Sequence, residues 1–178
     1  MSKTVLITLL TAAILGAAGI AHSHYNDRQY SLAEKGLEQI PEKLTEHINN
    51  LDYIVSGLRD LASKTNDELL TSRLWALSET LENQSMRAWY NRLLVQNLSH
   101  IKDAVNLGQM TTILRLSKEP LSNAIHRMNR IGRHLTAEEP LKLIKSARAS
   151  MHALMAAYEE AIDILKAAIL EGKNPPQE

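Results

Sequence analysis

The chain has 178 residues, with 20 acidic and 20 basic side chains and neither Cys nor Phe. Without Cys there is no disulfide, no thiolate nucleophile, no thiol-ligated metal and no covalently attached haem, and a net charge of zero supplies no global field toward nucleic acid or membrane. Gly and Pro number only 7 and 5, too few for a chain of many turns, and a core drawn from Leu, Ile, Ala and Met favours helices.

The first element is residues 5–21, VLITLLTAAILGAAGIA, in which nothing is charged and only Thr8 and Thr11 are polar. Such a helix has no face for water. Its length is short for a bilayer span and long for the apolar part of a signal peptide. Lys3 ahead of it, and Gly16, Ala17, Ala18 and Gly19 near its end, suit a signal peptide cut around Ala21-His22-Ser23. Ala12 and Gly16 equally form the small-xxx-small pair of a retained membrane helix. A buried helix of a soluble core is the third reading. Flanking basic residues are nearly balanced, with Lys3 before the stretch and Arg28 and Lys35 beyond it. The very short N-terminal tail places the N-terminus inside and the body across the membrane. The expected location is the bacterial cell envelope, either as a single-pass inner-membrane protein with a periplasmic body or as a cleaved periplasmic one. Residues 1–23 are then signal or anchor, residues 24–172 a helical domain and residues 173–178 a tail.

The polar juncture HSHYNDRQY follows. Tyr25 and Tyr30 suit a membrane interface, while His22-x-His24 offers two metal ligands without a third. From Ser31 the pattern is helical, and Pro41 marks a kink or the first turn of a new helix. Leu44, Ile48, Leu51, Ile54, Leu58 and Leu61 form one apolar stripe on a helix ending near Lys64. Thr65 and Glu68 read as a capping box that opens the next helix. Its stripe is Leu70, Leu74, Leu77 and Leu81. The phase then slips at Asn83-Gln84-Ser85 to Met86, Tyr90, Leu94, Asn97, Ile101 and Val105, which reads as a stutter within one long helix or as a turn between two. The absence of Gly and Pro there favours the continuous helix. Trp75 and Trp89 are expected at a bundle edge. Asn106-Leu107-Gly108 reads as a helix stop with Gly108 in the left-handed conformation.

A third helical region spans residues 109–134, interrupted near Pro120, with Leu121, Ile125, Met128, Ile131 and Leu135 inward. Thr136 and Glu139 read as a second capping box. In the last helix Ile144, Ala147, Met151, Leu154, Tyr158, Ala161, Leu165 and Ala168 alternate three and four without error, widened by Met155, Ile162 and Ile169. A widened seam is what a helix touching two neighbours needs. The expected fold is all-α: an antiparallel bundle of about four long helices with coiled-coil-like packing, preceded by one N-terminal hydrophobic helix.

An apolar anchor followed by an up-down bundle resembles the helical sensor domains of bacterial chemoreceptors. Those domains return to the membrane through a second span, whereas residues 161–170 here are interrupted by Asp163 and Lys166. The resemblance is one of layout and carries over no ligand residue. Leu135-Thr136-x-Glu138-Glu139 resembles the Leu-Thr-x-x-Gln motif of small helical periplasmic stress proteins, with Glu139 in place of the Gln.

Chemistry-bearing patterns are few. No His has an acidic residue three positions before it, as a di-iron bundle requires, and phosphate-binding glycine loops, Gly-x-Ser-x-Gly and His-Glu-x-x-His are absent. Asp67-Glu68 and Glu138-Glu139 stand in first turns, where the helix dipole accounts for them, and Glu159-Glu160 lies opposite an apolar stripe. The sequence therefore assigns no catalytic, cofactor or metal residue.

Charge is uneven nonetheless. Residues 26–87 carry seven Lys or Arg against eleven Asp or Glu, and residues 115–135 carry five against one. The two segments are expected to face each other. The candidate partner-binding surface is His126, Arg127, Arg130, Arg133 and His134, a basic helix face suited to an anionic partner and strengthened as the histidines protonate. It lacks the aromatics of a nucleic-acid site. The expected function is a non-enzymatic binding or scaffolding module for another envelope component. Its partners are a protein or a second copy of the chain, together with the membrane through residues 5–21 if uncleaved. The alternative is a periplasmic ligand-binding or stress- or metal-sensing domain.

Overall fold

The computed structural model describes residues 24–101 and 105–173. The apolar stretch with its signal or anchor reading, His22, and residues 174–178 of the expected tail lie outside the described residues. Among the described residues there are five long helices and one single turn, with no strand. They are α1 (His24–Leu37), α2 (Ile40–Lys64), α3 (Glu68–Gln96), α4 (Leu98–Ile101), α5 (Leu107–Gly132) and α6 (Glu138–Lys173). None of the described helices is long and apolar enough to cross a membrane.

The breaks follow from local chemistry. Pro41 sits in the first turn of α2; it has no N–H to offer Leu37, and its ring would crowd that carbonyl, so α1 stops at Leu37. Between α2 and α3 the capping differs from the sequence expectation. Asp67 is the N-cap, accepting from Leu69 N at 2.9 Å and Leu70 N at 3.0 Å. Thr65 instead closes α2 and accepts from Asp67 N at 3.3 Å. Carboxylate and hydroxyl compete for one cap, and the carboxylate, charge-matched to the helix dipole, takes it.

Asn97 ends α3, its side chain donating to Leu93 O at 2.8 Å. Asn106-Leu107-Gly108 starts a helix rather than stopping one. Asn106 accepts from Gln109 N at 2.8 Å and Gln109 returns the bond to Asn106 N at 3.0 Å. Gly108 is therefore in a first turn, not in the left-handed conformation. Helix α5 runs unbroken through Pro120. Helix α6 begins at Glu138, a residue later than the Thr136/Glu139 box requires, and Thr136 makes no side-chain hydrogen bond among the described residues.

Around the bundle the order is α2, α3, α5, α6, with α2–α3 the most extensive contact and α6 closing the ring against α2. Helix α1 continues the line of α2 and packs on the far half of α6. Opposite residues fix the direction. Ile164 lies against Gly36, Leu143 against Gly57, and Lys43 binds Glu160 at 2.7 Å. Asn50 donates to Ser150, and Gln29 Nε2 donates to Ile169 O at 3.3 Å. In each pair the two residue numbers sum to about 200, so α1 and α2 share one antiparallel register along α6, at about 1.5 Å per residue. At Gly36 a side chain would not fit: a Cβ would stand 2.5 Å from Ile164 Cγ2. This close approach locks α1 to α6.

All eight expected stripe residues of α6, from Ile144 to Ala168, are buried. The stutter in α3 does not occur. Leu74, Leu77, Leu81, Gln84, Ala88, Asn91 and Val95 alternate three and four throughout and are all buried. The hydrophobic pattern slips only because Gln84 and Asn91 occupy seam positions, while Met86, Tyr90 and Leu94 are half-buried. Tyr30 is also inside, its hydroxyl donating to Val105 O at 2.9 Å, so it does not sit at an interface. Trp75 and Trp89, each 44% exposed, do lie at the bundle edge.

Candidate functional site: a basic face on α5

Five side chains were expected to form the site, and all five are exposed: His126, Arg127, Arg130, Arg133 and His134. Inward residues of the same segment, Leu121, Ala124, Ile125 and Met128, are buried and turn the face outward. None of the five side chains has a hydrogen bond or ion pair among the described residues. The face is divided by the helix surface. Arg127 and His134 lie on the flank toward α3, where Arg73 Nη1 donates to the His134 carbonyl at 3.3 Å. His126 and Arg133 lie on the flank toward α6, and Arg130 stands between.

The acidic and basic segments meet only in part: the α3 portion of the acidic segment borders α5, where Arg73 reaches the His134 carbonyl, and the α1 and α2 portion does not. Helix α5 is bordered by α3 and α6, while α1 and α2 stand across the bundle. No ion pair among the described residues joins residues 26–87 to residues 115–135. Lys118 binds Glu159 on α6 instead, and Arg59 binds Glu82 at 2.9 Å while its guanidinium lies 5.7 Å from the Trp75 ring centre. The cationic charge of α5 therefore faces solvent.

The register of α5 on α6, set by Lys118 with Glu159 and by Gly132 with Ile144, adds three residues that the sequence reading missed. Lys118, Ser122, His126, Asn129 and Arg133 follow one another by fours and threes along the flank meeting α6. On the facing flank of α6, Lys145, Arg148 and His152 do the same, with Glu159 two turns further on. Lys145, Arg148 and His152 are exposed and also without a partner among the described residues. Their three-and-four spacing was visible in the sequence; their position opposite the α5 residues depends on the register between two helices.

Inside the bundle polar groups are mostly engaged with one another. Ser85 donates to Asp52 Oδ1 at 2.5 Å. Burial pushes the Tyr158 phenol up to about 12, with the Asn91 amide beside it drawing the other way. Gln84 Oε1 is buried without a partner. No group of three or more His, Cys, Asp or Glu able to hold a metal ion occurs among the described residues. No protein-family model matches the chain, and no curated protein matches its sequence.

Proposed function

We propose that this protein is a non-enzymatic binding or scaffolding module of the bacterial cell envelope, and that His126, Arg127, Arg130, Arg133 and His134 dock an anionic component there. In this reading residues 5–21 form an N-terminal hydrophobic helix. It either tethers the bundle to the inner membrane, with the bundle in the periplasm, or is removed as a signal peptide. The observation that supports it is the row of exposed cationic side chains on α5 with no partner of their own. Like charges held side by side without counter-charges cost stability, and an anionic partner offsets that cost.

The test is charge reversal. At low salt the wild-type protein retains a partner from solubilised envelope, and R127E/R130E loses it while helicity by circular dichroism stays unchanged. Retention of the same partner by the variant would remove the face from the proposal.

A further inference from the structure

The antiparallel register of α5 and α6 sets His126 opposite His152, Arg130 opposite Arg148, and Arg133 opposite Lys145. These six exposed residues form three rungs across one groove. Arg133 with Lys145 and Arg130 with Arg148 are cationic, Arg130 standing outward on α5, and His126 with His152 pairs two histidines that add no formal charge at pH 7. Residues 120–153 hold six Lys or Arg against two Glu, and those two stand together at the start of α6. Glu159, the next acid on that flank beyond His152, is already bound by Lys118. Among the described residues no ion pair engages either cationic rung.

We infer that this groove is a docking site for an acidic helix of a partner protein, laid between α5 and α6 with carboxylates along both of its edges. This rests on the reading of the basic face as a docking surface and names its occupant. Rungs three or four residues apart rise by about 5 Å each, the same rise as successive Glu residues at three-and-four spacing on a guest helix. Same-face side chains of an extended strand recur at nearly 7 Å and fall out of step by the third rung. A guest helix so placed meets two neighbours, as the seam and edge residues of a bundle helix do, with edge carboxylates against edge cations. A lipid headgroup fits the geometry less well. The rungs lie 21 to 28 residues along α6 from Lys173, at the end of the bundle away from the start of α1. That is about 30–40 Å from where a membrane entered at residues 5–21 would be, several Debye lengths at physiological salt. A single-stranded nucleic acid would want exposed aromatics beside the cations, and Trp75 and Trp89 lie on the flank of α3 turned toward α2.

The experiment uses the full chain in detergent and a synthetic amphipathic helix of about three heptads, bearing Glu along both edges of its apolar face, followed by fluorescence anisotropy. The Glu peptide binds, its Gln counterpart does not, and affinity falls as salt rises. K145E/R148E, which touches none of the α5 residues, weakens binding roughly ten-fold or more with melting temperature unchanged. If charge reversal unfolds the protein, K145Q/R148Q must shift affinity in the same direction. Equal binding of the Gln peptide, wild-type affinity in the α6 variants, or displacement of the peptide by phosphatidylglycerol vesicles or DNA overturns the inference. If the α6 variants bind normally while R127E/R130E still loses its envelope partner, the groove is wrong and the docking face stands. If neither pair of substitutions has an effect, both are wrong.

Discussion

Tyr158 places its phenol in the bundle interior, where it is 1% exposed and its pKa is raised from 10.0 to about 12. Desolvation is the main cause, because the phenolate has no water to replace the hydration it would lose. The folded chain holds this proton over a range in which the unfolded chain has released it. Stability from this group is therefore complete below about pH 10 and lost as pH rises through the folded value, by about 2–3 kcal/mol in all. Urea titrations between about pH 9 and 12 should show the wild type losing more stability than Tyr158→Phe. The difference between the two curves, which cancels the other tyrosines and lysines, is the quantity to read. Parallel curves would mean that the phenol is better solvated than its burial indicates.

At the scale of the element, α3 shows where sequence reading succeeds and where it fails. Its continuity through residues 83–85 was legible, since no Gly or Pro interrupts it. Its seam was not, because hydrophobic periodicity reads letters, and Gln84 and Asn91 are polar letters at buried positions. In α6 every seam position is apolar and the reading was right throughout. Caps failed for a related reason. Thr65 and Asp67, like Gly108 beside Asn106, give short patterns with two solutions, and neighbouring backbone geometry selects between them. The unpaired Gln84 Oε1 makes a prediction. Gln84→Leu removes a buried acceptor with no donor and keeps the volume, and it should raise stability by about 1–2 kcal/mol. A lower melting temperature would show that the carbonyl has a partner in solution, such as a bridging water.

At the scale of the whole molecule, α6 organises the bundle, with α1 and α2 laid along it end to end. The cationic face of α5 was legible because one helix carries it. The second row on α6 became meaningful only once the register put it opposite. The fit of α1 can be tested at Gly36. An Ala there adds helix propensity worth up to about 1 kcal/mol but forces its Cβ against Ile164 Cγ2. Gly36→Ala should destabilise the wild type by about 1 kcal/mol or more, yet stabilise an Ile164→Ala background. Denaturation of the four proteins gives the coupling directly, and additive effects would show that α1 is not seated on α6 as described.

The shared register of α1 and α2 on α6 has a mechanical consequence. The interruption at Glu38 and Gln39 is spanned by the uninterrupted α6, like a joint bound to a splint. A tension applied at His24 along the bundle axis would load the α1–α6 contacts all together in shear, so that they resist as a group. The same tension applied sideways would peel them one turn at a time and needs far less force. Pulled lengthwise from its N-terminal side, the bundle holds as a lap joint does, and its strength depends on direction more than on the total number of contacts.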